Sequence, residues 1–229
     1  MKPAIRLVLL DLDGTLVDTA PDLAAAANRM RVARGIEPLP IGELRPFVSH
    51  GARGMVGRAF NVMTDDPRYA DLRSEFLSQY ESALCVESAL FTGMDHTLQQ
   101  LEKMGIKWGI VTNKFARFTL PLVRALNLSD RAACVVSGDT TKFSKPHPAP
   151  LLHALATADV DAGLAMYVGD DQRDIDAGHA AGMRTVVASY GYLGNGVPYQ
   201  QWGADDIIDS PPEILQLLNG DGAQRAKSA

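Results

Sequence analysis

The amino-acid sequence predicts an α/β protein: a doubly wound, mostly parallel, Rossmann-like sheet with an all-helical cap inserted after its first strand. Three observations carry this reading. Five short apolar runs recur along the chain, and they are continuous rather than alternating. Continuous runs suit strands buried on both faces, as in a parallel sheet. Helix-patterned segments separate the runs between residues 90 and 190, the alternation expected of a doubly wound sheet. Residues 17–88 break that alternation, being rich in helix formers without a strand-like run.

In chain order, the runs are "IRLVLLD" (5–11), "IKWGIVTN" (106–113), "AACVVSGD" (132–139), "LAMYVGDD" (164–171) and "RTVVASYG" (184–191). The first helix is expected over 19–35, with Thr19 as N-cap, Asp22 in the first turn and Gly35 as the stop. Further helices are expected at 94–105 and 170–183, each closed by a glycine. Residues 1–16 and 89–219 would form the catalytic core and 17–88 the cap. The polar, small-residue segment 220–229 is expected to be a disordered tail.

Bulk properties narrow the function. The 229 residues are 46% hydrophobic and 21% charged, with a net charge of −5, so no strongly basic face points to nucleic acid. The apolar run near the start is four residues long before Asp11 interrupts it, shorter than a secretion signal needs. No stretch approaches the roughly 18 apolar residues of a membrane span. Cys85 and Cys134 lie in apolar surroundings outside any C-x-x-C pair, which suits reduced, packed thiols rather than zinc. A soluble cytoplasmic protein is the expectation, and no pattern speaks to oligomeric state.

In sheets of this kind ligands bind at the carboxyl ends of the strands, and the reactive side chains collect there. Asp11 and Asp13 follow strand one. Side chains at i and i+2 of a strand face one side, so the two carboxylates would point together. Such a pair could be a metal site, a general acid/base pair, or a nucleophile with its acid/base. A calcium loop fails, because Leu16 occupies the sixth position, where glycine is needed. Asp170 and Asp171 end strand four, and Asp174 lies one turn into the next helix. Acids suit a helix N-terminus by themselves. Together with Asp11 and Asp13, however, they demand positive charge, and hard oxygen donors suit magnesium. Thr112 follows strand two, and Lys145 sits in "SKP" beyond strand three. A hydroxyl and an ammonium beside a magnesium–carboxylate cluster are what a phosphoryl group needs.

The order of these pieces resembles the haloacid dehalogenase superfamily. "DLDGTLVDT" is similar to its first motif, "VTN" to the second, "SKP" to the third and "GDDQRDID" to the fourth, all in order across residues 11–174. Within the family the chain is similar to phosphoglycolate phosphatases and to N-acetylmuramate 6-phosphate phosphatases, through "YGYLGNG…WGADDIID" and "SHGARGMV". The resemblance implies a magnesium-dependent phosphatase acting on a small phosphorylated metabolite, 2-phosphoglycolate first and N-acetylmuramate 6-phosphate as the alternative. Asp11 would be nucleophile and Asp13 proton carrier. Magnesium would be held by Asp11, the backbone carbonyl of Asp13, Asp170 and also Asp171. Thr112, Asn113 and Lys145 would bind the phosphoryl group, with Lys145 offsetting charge and Asp174 positioning Lys145 or a metal-bound water. Asp171 stands where the family's fourth motif often has serine, and "LFTGM" lacks the proline many relatives carry before the glycine.

The resemblance also gives the insertion a task, and "SHGARG" places His50 and Arg53 where a cap loop would read the substrate's far end. Residues 17–88 contain no lysine, which excludes a Schiff-base phosphonate cleaver. Two other readings use similar groups. A sugar-phosphate mutase would return the phosphoryl group to its substrate. A phosphate-accepting signalling receiver would need no second acid beside the acceptor and no lid-sized insertion.

Overall fold

β1 (Leu7–Leu10) lies in the middle of the sheet, because all four of its side chains are apolar and each can be buried on one face or the other. The computed structural model describes residues 5–194 and 196–219, and the segment 220–229 lies outside them. Leu7 and Leu9 pack on one side with Leu151, Leu155, Tyr167 and Ala177. Val8 and Leu10 pack on the other with Leu98, Leu101, Trp108, Leu122 and Ile214. All four are fully buried. Each such side chain stabilises the fold by about 1.5–3 kcal/mol, so this strand alone anchors both layers.

The chain leaves β1 through β2 (Val17–Asp18), which pairs antiparallel with β3 (Ala89–Leu90). Between them run α1 (Ala20–Val32), α2 (Ile41–Leu44), α3 (Gly51–Phe60) and α4 (Tyr69–Glu81). These helices enclose their own cluster, built on Met30, Leu44, Met55, Val56, Phe76 and Tyr80 and joined by Phe118 and Tyr192 of the core. Asp22 ties the return of this insertion: it is buried and accepts hydrogen bonds from the backbone N–H groups of Val86, Glu87 and Ser88.

Beyond β3 the chain alternates: α5 (Met94–Lys103), β4 (Lys107–Val111), α6 (Ala116–Ala125), β5 (Val135–Val136), α7 (Ala149–Ala158), β6 (Ala165–Gly169), α8 (Gln172–Ala180), β7 (Arg184–Ala188), β8 (Asp206–Ile208) and α9 (Glu213–Asn219). The sheet runs β5–β4–β1–β6–β7–β8, and every adjacent pair in it is parallel. The α/β reading therefore holds, and the five apolar runs are five of the six strands. The edge strand β8 escapes sequence reading because its three residues begin with Asp206, which pairs with Arg184 across the edge.

After β1 the chain crosses to β4 and β5 on one side, then returns to β6 on the other. The topological switch therefore falls at β1, and the crevice for ligands opens above the carboxyl ends of β1, β4 and β6. Among the described residues, no helix is long and apolar enough to cross a membrane.

Candidate active site

A cavity of about 280 Å³ opens between the sheet's carboxyl edge and the inserted helices. Asp11, Asp13, Thr112, Asn113, Lys145, Asp171 and Asp174 all line it, together with His50. Asp170 is buried directly behind, 1% exposed.

Strand geometry does not put Asp11 and Asp13 on a common face, since β1 ends at Leu10. The tight turn after it brings both carboxylates to the cavity, each with its own lysine. Lys145 Nζ lies 2.9 Å from Asp11 Oδ1 and 2.6 Å from Asp174 Oδ1. It also donates to the Val111 carbonyl and the Tyr167 hydroxyl. Burial opposes the charge of Lys145, but Asp11 and Asp174 outweigh it and its ammonium is pushed up to about 12. A lysine in a proline-containing loop reads as a surface residue, and here it is 4% exposed. The Asn113 side chain explains how the loop is held: its amide donates to the Lys145 carbonyl at 3.0 Å and accepts from the Lys145 N–H at 2.9 Å. That side-chain amide is therefore engaged by the lysine loop. Thr112 keeps its hydroxyl at the cavity, accepting from the Lys114 N–H.

Asp13 is held by Lys114, 2.9 Å from Oδ1, and by the Thr19 hydroxyl at 2.5 Å. Thr19 precedes α1 as expected but does not cap it with its side chain. Tyr192 serves that helix start instead, its hydroxyl accepting from the N–H groups of Thr19 and Ala20. Lys114 lies 4.7 Å from the centre of the Tyr80 ring on α4, so it touches core and insertion together. Lys114 belongs to no recognisable motif of its own. Its signal was its place, two residues beyond Thr112 at the same strand end.

Three carboxylates converge: one oxygen from each of Asp11, Asp170 and Asp174 lies within 4.8 Å of the others. Burial, with Asp174 and Asp13 adding repulsion against the attraction of Lys145, pushes the Asp11 carboxyl up to about 7. Burial and the neighbouring Asp11 and Asp174 push Asp170 well above the usual carboxylate range. Asp11 Oδ1 is buried and, close as it is to Lys145, makes no hydrogen bond of good geometry with a described residue. Under-neutralised hard oxygens around an orphaned carboxylate atom fit a magnesium-type cation.

Asp171 departs from the expectation that it helps hold the metal. It caps α8, accepting from the Arg173 N–H, while Asp174 accepts from the Asp171 N–H in return. Both of its oxygens are taken by the Arg173 guanidinium at 2.7 and 2.8 Å. Burial acts to raise the Asp171 carboxyl, but the hydrogen bonds from Arg173 prevail and hold it below the usual carboxylate range. A capping box commits the side chain to its own helix, so Asp174 rather than Asp171 completes the acidic trio. Arg173 also donates to the Ser49 carbonyl at 2.6 Å, linking α8 to the insertion.

Of the two insertion residues read from "SHGARG", His50 lines the cavity. Arg53 does not: it is exposed on α3, away from the lining. Arg73 of α4 is the insertion's arginine at the cavity.

The profile of the haloacid dehalogenase-like hydrolases matches residues 8–188. The N-acetylmuramic acid 6-phosphate phosphatase of Pseudomonas aeruginosa is 40% identical over 215 residues, spanning 94% of this chain and 95% of that protein. The phosphoglycolate phosphatase of Xanthomonas campestris pv. campestris is 44% identical over 212 residues, 92% of this chain and 95% of that protein. The crystal structure of a predicted phosphoglycolate phosphatase from Haemophilus somnus superposes with a TM-score of 0.81 at 28% identity, covering 93% of this chain and 97% of that one.

Proposed function

The chain belongs to the haloacid dehalogenase-like hydrolases and hydrolyses phosphoric monoesters, and from that premise we propose how its site works and on what. The observation that carries the reading is Lys145 wedged between Asp11 and Asp174, with Asp13 beside them on the same cavity. The Asp11 carboxylate attacks phosphorus, the ester P–O bond breaks, and Asp13 gives its proton to the leaving oxygen. Asp13 then takes a proton from water, which attacks the aspartyl phosphate and releases inorganic phosphate from Asp11. Thr112 binds a phosphoryl oxygen, and Lys145 offsets the charge that builds between Asp11 and the phosphoryl group. Magnesium would be held by Asp11, Asp170 and Asp174 with the Asp13 carbonyl, and when bound it neutralises phosphoryl charge. The insertion acts as a cap over residues 17–88, excluding water and contacting the organic part of the substrate. The two free cysteines suit a reducing cytoplasm.

For the substrate, sequence similarity supports 2-phosphoglycolate first, through the 44% identity to a phosphoglycolate phosphatase, and N-acetylmuramic acid 6-phosphate as the alternative, through the 40% identity to a phosphatase of that compound. One observation of the cavity favours the alternative. The cavity walls carry Leu23, Val48, Phe76, Leu77, Tyr80 and Phe118, more apolar surface than a two-carbon acid covers. Phosphate release from both compounds, measured with magnesium and with EDTA, tests the proposal. Release that survives EDTA or Asp11→Asn overturns the mechanism, and the ratio of kcat/KM between the two compounds decides the substrate.

A further inference from the structure

The face of α4 that lines the cavity is Arg73, Phe76, Leu77 and Tyr80. The spacing i, i+3, i+4, i+7 is one continuous helical stripe. Its Tyr80 end lies over Lys114, which holds Asp13. Its Arg73 end lies seven residues away, about 10 Å along the helix axis. The stripe thus begins at the chemistry, runs over apolar surface, and ends on a cation.

That cation is solvent-exposed at the cavity rim and makes no hydrogen bond or ion pair with any described residue. Several exposed arginines elsewhere, among them Arg6, Arg53, Arg117 and Arg124, also lack a carboxylate partner among the described residues, but of the two arginines that line the cavity Arg173 is paired with Asp171 and Arg73 is not. Glu75, the nearest acid beyond Arg73 on the same helix, is taken by Arg34. A second polar atom on the same cavity is also unsatisfied: Ser49 Oγ is buried and has no hydrogen-bond partner among the described residues. A buried hydroxyl without a partner is costly unless a ligand completes it. Ser49 is held in place from the core, because its carbonyl accepts from Arg173.

We propose that Arg73 is the specificity residue that binds a carboxylate carried on the substrate at the far end of its organic body, away from the phosphoryl group. A guanidinium fork matches a carboxylate with two parallel hydrogen bonds. The ligand class is a phosphomonoester of a hydroxy acid or sugar acid, with apolar surface lying on Phe76 and Leu77 between its two charged ends. In 2-phosphoglycolate one ester oxygen and one methylene separate the charges, which is too short for this stripe. In N-acetylmuramic acid 6-phosphate a sugar ring and a lactyl ether separate them. The inference rests on the phosphatase reading and selects between its two substrates.

The test compares wild type, Arg73→Gln and Arg73→Lys on three compounds with magnesium. These are N-acetylmuramic acid 6-phosphate, N-acetylglucosamine 6-phosphate, which lacks the lactyl carboxylate, and p-nitrophenyl phosphate. Wild type is expected to favour the muramic compound. Arg73→Gln should raise its KM about 10- to 100-fold, the size of a lost charged hydrogen bond. It should leave kcat and both carboxylate-free substrates unchanged, with partial recovery in Arg73→Lys. An Arg73→Gln enzyme that melts like wild type and keeps its KM for the muramic compound overturns the assignment. So does an equal loss on all three compounds. If wild type releases phosphate from none of the three, nor from 2-phosphoglycolate, the phosphatase reading itself has failed.

Discussion

The Lys114 ammonium lies 2.9 Å from Oδ1 of Asp13 and 3.2 Å from Oδ2. Burial works against the charge of Lys114, while Asp13 and Tyr80 raise its pKa above the ordinary lysine range. It is therefore a fixed cation that locks the orientation of Asp13 toward the cavity. Removing either partner should cost turnover. Asp13→Asn is expected to lower kcat about 10²- to 10⁴-fold, the usual worth of a positioned acid/base. Lys114→Met should lower kcat by a smaller factor, about tenfold, with the protein still folded by circular dichroism. Wild-type kcat in Lys114→Met would remove Lys114 from the machinery.

Gly14 should tolerate no side chain. Its φ is +90°, and a Cβ there would sit 2.1 Å from Asp170 Oδ2. Gly14→Ala must displace Asp170 or strain the turn, costing about 1–3 kcal/mol. The expected drop is about 2–4 °C in Tm for each kcal/mol. The more specific readout is loss of the Tm increase that magnesium gives the wild type. A variant that keeps the full magnesium-induced increase would show that Asp170 does not need this close backbone approach.

Without a divalent cation, stability should fall as pH rises. Burial holds the Asp11 carboxyl at about 7 against an ordinary value of 3.8. Over that window the folded state binds the proton and the unfolded state does not, so the stability slope with pH is negative. Each pKa unit is worth about 1.4 kcal/mol, so Asp11 contributes up to a few kcal/mol between pH 4 and 7. Urea titrations across that range in EDTA should show the loss. Magnesium should abolish it by binding the ionised folded form, and Asp11→Asn should show a shallower slope, keeping only the share of the buried Asp170 carboxyl. Parallel curves for wild type and Asp11→Asn would refute the argument.

Arg173 should matter for binding more than for bond breaking. It grips Asp171 with two hydrogen bonds and reaches across to the Ser49 carbonyl. Arg173→Ala frees the 3-10 helix that carries Ser49 and His50 but leaves Asp11, Asp13 and Lys145 in place. The expected result is a KM increase of about 10- to 100-fold, the worth of a charged hydrogen bond, with kcat within a few-fold of wild type. A collapse of kcat at unchanged KM would place Arg173 in the chemistry instead.

Much of this protein was legible from pattern. Continuous apolar runs identified both-face burial, and the acids that interrupt them marked the carboxyl edge where Asp11, Asp13, Thr112 and Asp170 gather. Such features are local: a run's length and the residue ending it are visible without a partner. What stayed hidden were partnerships between distant residues. Asp171 looks like a ligand in sequence because it sits beside Asp170, and only the α8 cap and Arg173 turn it aside. Arg53 looks like a substrate contact because it is flanked by glycines, but the turn of α3 carries it outward, while Arg73 arrives from another helix.

The sequence by itself determined the sheet, the helical insertion after the first strand, and the kind of chemistry its edge can perform. Spacing along one chain sets those features, and spacing is printed in the residues. Only the tertiary structure decided which charge meets which. Lys145 is buried against Asp11 across 134 positions, and Lys114 reaches Asp13 across 101. The packing of α4 over that edge decided where an unpaired guanidinium faces the cavity. Electrostatic pairing depends on distance in space and on lost hydration, and neither is a property of order along the chain.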